Sequence, residues 1–140
     1  MIKKVFLDAN ILLDYANEDR KKCKESTACI NYLLENSIKI YTSCDLITTI
    51  YYISSKRDKI KALKSIIEIN RFCDVIDFSN NEIEQICQLM LKDSDYEDLE
   101  DTIQYILAKK VGCDLIISND LGFVSKDVEL ISGKKFLLRF

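Results

Sequence analysis

Two short apolar runs, far apart in the chain, each stop abruptly at an acid. Ile2 to Leu7 carries Val, Ile and Phe and reads as a buried strand, and Asp8 follows it at once. Leu115-Ile116-Ile117-Ser118 repeats the device, with Asp120 two residues further on. In an open α/β sheet, ligands bind in the crevice outside the carboxyl ends of the strands. Both aspartates are therefore predicted at that edge. Between them lies an acidic segment, Asp93 to Asp101, that opens a helix.

The rest of the chain alternates helical and strand patterns. Ile11 to Asn17 reads as a short helix that Asp8 or Asn10 would cap. Cys23, Thr27, Ile30, Leu33 and Leu34 recur at helical spacing and mark a second helix. Ile38 to Thr42 alternates as a strand. Ser43 then opens a helix with Ile47, Ile50 and Tyr51 inward, and Ile60, Leu63, Ile66 and Ile67 form the stripe of another. Cys73 to Phe78 is a further strand, and Ser79 with Glu82 three residues later makes a capping box. Ile83, Ile86, Cys87 and Met90 line the helix that follows. Asp98 begins the next one, with Leu99, Ile103, Ile106 and Leu107 inward, and Gly112 stands just past its end. Leu115 to Ser118 and an edge strand over Val128 to Ile131 complete the series. Strands alternating with helices predict a parallel sheet covered on both faces. With 140 residues, no proline, three glycines and no linker or repeat, one domain over residues 1–140 is expected.

Composition narrows the chemistry. There is no histidine, which removes Ser-His-Asp, Cys-His and every imidazole acid–base mechanism. Six cysteines are present without a CxxC pair, so no zinc site is expected, and all six read as reduced core residues. No apolar stretch approaches the roughly 18 residues of a membrane span. The start of the chain does not read as a signal peptide, so a cytoplasmic protein without membrane attachment is expected. Net charge is −3, which gives no overall signal for nucleic acid, although local basic patches matter more than the sum.

Each acid alone has an ordinary reading: Asp8 as a helix cap, Asp98 as an N-cap, Asp120 as a turn residue. Asp98 and Asp101 also share one helix face at a spacing of three. Together the acids say more. Carboxylates brought within a few ångströms of one another raise each other's pKa, and a divalent cation relieves that repulsion. All-oxygen, carboxylate-rich ligation selects Mg²⁺ or Mn²⁺ over zinc. Such an ion can orient a scissile phosphate, lower the pKa of a water and stabilise a leaving oxygen, so hydrolysis of phosphodiesters needs no histidine.

Four segments together resemble the PIN-domain nucleases, over most of the chain. Asp8-Ala9-Asn10, followed by Ile11-Leu12-Leu13-Asp14, is similar to the family's opening motif. Ser43 followed by Thr49-Ile50-Tyr51-Tyr52 is similar to its second. Asp98 with Leu99-Glu100-Asp101-Thr102-Ile103-Gln104-Tyr105 resembles the D-F-E-D-A-L-Q segment of one branch. Ile117-Ser118-Asn119-Asp120-Leu121-Gly122-Phe123 resembles the T-N-D-x-D-F motif near the family's end. The resemblance, which extends to VapC-like toxin ribonucleases, implies a three-layer α/β/α fold with a mostly parallel central sheet and metal-dependent ribonuclease activity. It implies Asp8, Asp101 and Asp120 as metal-binding acids, Asp98 as a fourth catalytic acid, and Asn10, Thr49 and Ser118 as supports. Mg²⁺, or Mn²⁺ in its place, is the implied cofactor. RNA, a small antitoxin protein and a second copy in a homodimer are the implied partners.

Two departures bear on this reading. Thr49 stands where most members carry glutamate, and Gly122 where many carry a further aspartate. Both reduce the negative charge at the site, so one tight Mg²⁺ is expected, with any second ion weak or brought by substrate. They also motivate an alternative, a PIN scaffold that binds RNA or a protein without cleaving. A receiver-type phosphotransfer protein is disfavoured, because no second acid adjoins Asp8 in a D-x-D arrangement. Two basic runs, Arg20 to Lys24 and Lys56 to Lys64, read either as solvated helix faces or as contacts for RNA phosphates.

Overall fold

The computed structural model describes residues 1–140. Its strands are β1 (Lys4–Leu7), β2 (Lys39–Ser43), β3 (Cys73–Ile76), β4 (Leu115–Ile117) and β5 (Glu129–Ile131). The helices are α1 (Ala9–Ala16), α2 (Cys23–Glu35), α3 (Cys44–Ser54), α4 (Lys59–Phe72), α5 (Asn80–Lys92), α6 (Leu99–Lys110) and α7 (Gly133–Arg139). Local chemistry sets several of the boundaries. Asp8 caps α1 by accepting from the Ala9 N–H, and Asp98 caps α6 by accepting from the Asp101 N–H. Glu82 reaches back to the Ser79 N–H at the start of α5. No helix is long and apolar enough to cross a membrane.

The strands lie in the order β3-β2-β1-β4-β5, and every neighbouring pair is parallel. The sheet is thus wholly parallel, where the sequence led us to expect it mostly so. From β1 the chain builds outward first to β2 and β3, then on the other side to β4 and β5. The order reverses between β1 and β4, which opens a crevice at their carboxyl ends. Asp8 follows β1 and Ser118 follows β4, so both stand at that crevice.

Alternation along the strands divides the core in two. Val5 and Leu7 pack with Ile11, Leu12, Ile30, Leu33 and Phe136 on the side of α1, α2 and α7. Phe6, Tyr41 and Ile116 pack with Tyr105, Leu107 and Ala108 of α6. Each large side chain fully buried in this way contributes about 1.5–3 kcal/mol. The result is the α/β/α sandwich of three layers.

Some elements depart from the sequence reading. α1 begins at Ala9, directly after its Asp8 cap, rather than at Ile11. α7 was not anticipated. It is seven residues long, and Phe136 is its one wholly buried apolar side chain, too little to show a helical stripe. Leu99, Ile83 and Cys87 face solvent, while Thr102, Gln104 and Tyr105 take the inward positions of α6. Of the six cysteines, Cys29, Cys73 and Cys113 are buried, Cys23 and Cys44 are half-buried and Cys87 is exposed. Burial pushes the three buried thiols up to about 12, which leaves them unreactive.

Gly112, at φ +75°, turns the chain from α6 into β4, the two elements that carry the later acids. An added Cβ would meet nothing within 4 Å, so Gly112→Ala isolates backbone strain. We expect it to lower the unfolding free energy by about 1–2 kcal/mol, read as a shift of the urea midpoint at constant slope.

Candidate metal centre

Asp8 is the deepest of the acids, only 4% exposed. Both of its oxygens are tied. The Ala9 N–H donates to Oδ1 at 2.6 Å and the Ser118 hydroxyl donates to Oδ2 at 2.6 Å. The second bond crosses from β4 to β1 and locks the two strand ends together. The Ser118 oxygen in turn accepts from the Asp120 N–H at 3.0 Å, and Asp120 Oδ1 accepts from the Gly122 N–H at 2.9 Å. Asp120 is therefore shaped by a short turn and stays exposed. Asp101 enters from the first turn of α6, with its N–H bonded to Asp98 Oδ2 at 2.9 Å.

One carboxylate oxygen from each of Asp8, Asp101 and Asp120 lies within 4.8 Å of the others. None of the three is paired with a lysine or arginine. Burial, then the charges of Asp8, Asp98 and Asp120, pushes the Asp101 carboxyl up to about 7. Burial also raises Asp8, partly offset by the Ser118 hydroxyl, by the neighbouring Gln104 amide and by the Ala9 N–H. The donor set is all oxygen, anionic and uncompensated, and it suits a hard divalent cation rather than a thiophilic one.

The other sequence-selected residues lie around this cluster. Asp98 spends its side chain on capping α6. Thr49 faces α6 and donates to Glu100 Oε2 at 3.4 Å. Asn10 Oδ1 accepts from the Asn119 N–H at 3.4 Å, and Asn119 Oδ1 accepts from the Gly133 N–H at 3.0 Å. Asn10 thus steadies the loop after β4 rather than joining the acids. At Gly133 an added Cβ would come within 2.9 Å of Glu25 Oε1, so α7 approaches α2 closely there.

Three groups that the sequence reading named within its motifs but did not assign to the site also belong to this neighbourhood. Glu100, raised by burial and then by Asp45 and Asp8, adds a further half-buried carboxylate. Gln104 and Ser43 are wholly buried, and their side-chain polar atoms have no hydrogen-bond partner. The signal for Gln104 was present: a polar residue one helical turn after Asp101 lies on the same face.

The raised Asp101 carboxyl has a consequence for stability without metal. Its folded value of about 7 lies above the ordinary 3.8. Between these values the folded state holds a proton that the unfolded chain has lost. This contribution is fully present below the ordinary value and is lost as pH rises through 7. In EDTA, the melting temperature of the wild type is expected to fall from pH 5.5 to pH 8. Asp101→Asn is expected to flatten that fall, and excess Mg²⁺ to reverse it, as read by thermal unfolding.

The family profile described as PIN domain matches residues 4–122. Ribonuclease VapC1 of Aquifex aeolicus (strain VF5) is 46% identical over 138 residues, spanning 99% of this chain and 96% of that protein. Among solved structures, VapBC2 from Rickettsia felis, bound to a DNA fragment from its promoter, superposes with a TM-score of 0.73 at 16% identity. That match covers 92% of this chain and 98% of the other. Mycobacterium tuberculosis VapC20, a sarcin-ricin loop cleaving toxin, superposes at 0.68 with 14% identity, over 87% of this chain and 98% of its own. These two likenesses speak for the fold, and the Aquifex protein for kinship along the whole chain. On the profile and that full-length relative together, the chain belongs to the PIN-domain family, among the VapC ribonucleases.

Proposed function

We propose that this protein is a cytoplasmic endoribonuclease that hydrolyses RNA phosphodiester bonds with Mg²⁺, for which Mn²⁺ can substitute, and that it is the toxin of a toxin–antitoxin pair. The observation that carries the reading is the meeting of Asp8, Asp101 and Asp120 oxygens within 4.8 Å, unpaired with any cationic side chain. In this reading those three acids hold the cation. When bound, it supplies Lewis acidity to the scissile phosphate and to the attacking water.

The chain's own residues prepare that chemistry. Asp8 is held by the Ala9 N–H and the Ser118 hydroxyl, so its carboxylate need not reorganise as the cation arrives. Asp98 serves indirectly: by capping α6 it fixes the turn from which Asp101 projects. Asp120, exposed on its turn, is the acid best placed to adjust to an incoming phosphate. Thr49 carries no charge, and Glu100 beside it lies outside the three-acid cluster. One tightly bound ion is the expected stoichiometry, with any second one weak or brought by RNA. Kinship with VapC ribonucleases further supports a small antitoxin protein as partner and a homodimer as the assembled toxin.

Purified protein is expected to cleave RNA with Mg²⁺ or Mn²⁺ and to lose this in EDTA. Asp8→Asn and Asp101→Asn should each reduce the cleavage rate by about 100-fold or more, at or beyond the upper end of the 10–100-fold carried by outer partners of metal ligands. Circular dichroism should remain that of the wild type. Protein that binds RNA yet never cleaves it with either metal would replace this reading with that of a non-cleaving RNA-binding scaffold.

A further inference from the structure

Gln104 and Ser43 are both 0% exposed, and Gln104 Oε1, Gln104 Nε2 and Ser43 Oγ all lack a hydrogen-bond partner. More than nine in ten buried polar groups in folded proteins have a partner, and leaving one without is costly. An apolar side chain at either position would avoid that cost. Tyr105, Leu107 and Ala108 already supply the packing of α6 against the sheet.

Their placement gives the unpaired atoms a common direction. Gln104 follows Asp101 by one turn on the same face of α6, and its amide lies beside Asp8 without reaching hydrogen-bonding geometry. β1 and β2 run in register with Phe6 level with Tyr41, so two residues further along Asp8 is level with Ser43. Phe6 and Tyr41 pack in the α6-side core, and strand alternation puts Asp8 and Ser43 on that same side. Asp8 is thus flanked by Gln104 from the helix and Ser43 from β2, while Ser118 holds it from β4.

Resting on the metal reading above, we propose that Gln104 and Ser43 are positioning residues for a hydrated divalent cation at the three acids. Gln104 Nε2 donates to Asp8, while Gln104 Oε1 and Ser43 Oγ accept from water carried by the ion. The chemistry of the two side chains fits this division. A carboxylate ligand needs donors and the water of a Mg²⁺ ion needs acceptors, and an amide next to a hydroxyl offers both. Mg²⁺ bound through a few carboxylates keeps several waters. The buried atoms therefore meet their partners in the loaded site.

The test is calorimetric titration of the full chain with MgCl₂ in the absence of RNA, beside thermal unfolding in EDTA. Gln104→Met keeps the length of the side chain and removes both polar atoms, and Ser43→Ala removes one hydroxyl. Each is expected to weaken Mg²⁺ binding on the order of 10-fold. The double variant should lose less than the product of the two, as residues sharing one network do. Melting in EDTA should be unchanged or raised, because unmet buried atoms have been removed. Wild-type Mg²⁺ affinity in both single variants, with lowered melting temperatures, would reduce the pair to a structural role and overturn the proposal. Should Gln104→Met fail to fold, Ser43→Ala alone decides, by its affinity. Wild-type protein that binds no Mg²⁺ would instead remove the metal reading itself, and the proposal with it.

Discussion

A carboxylate out of water needs something to hold it, and Asp8 has two such supports. One is the first N–H of the helix it caps; the other is a hydroxyl from the neighbouring strand. The Ser118–Asp8 bond spans the point where strand order reverses, so it fixes the crevice as well as the acid. Asp120 depends on the same serine through its backbone N–H. The rest of the acidic edge is arranged around a residue that packing and hydrogen bonds leave little freedom to move.

That rigidity explains how so charged a cluster coexists with an apolar core. Repulsion among Asp8, Asp101 and Asp120 opposes folding when no cation is present. It is offset by the two cores on either side of the sheet, whose strand residues Val5, Phe6, Leu7, Leu115, Ile116 and Ile117 are wholly buried. The acids stand at the ends of these same strands and at the start of a helix packed on them. The site uses stability that the middle of the sheet supplies, the usual division between a rigid framework and functional ends.

Much of this was legible in the residue order. A strand that ends in an acid betrays its own polarity, and two such strands in a parallel sheet deliver their acids to one edge. Asp8 and Asp120 were found in this way, Asp101 from its place in the first turn of a helix, and Ser118 from the family resemblance. What stayed hidden depended on rotation and length. The stripe through Leu99, Ile103 and Ile106 suggested one inward face for α6, but packing against the sheet turns Thr102, Gln104 and Tyr105 inward instead. A helix with two partly apolar sides does not reveal which of them the sheet will choose. α7 was too short for periodicity to register. The cysteines divided between core and surface because small apolar residues tolerate either place.

The bond from the Gly133 N–H to Asn119 makes the last helix a strut behind the loop that bears Asp120. Phe136 anchors that strut in the core, and at Gly133 the strut comes close against the Glu25 carboxylate of α2. The tail of the chain is mechanically continuous with the mouth of the cluster. A nick, tag or truncation that loosens α7 would be felt at the acidic edge, though no atom of that helix belongs to it.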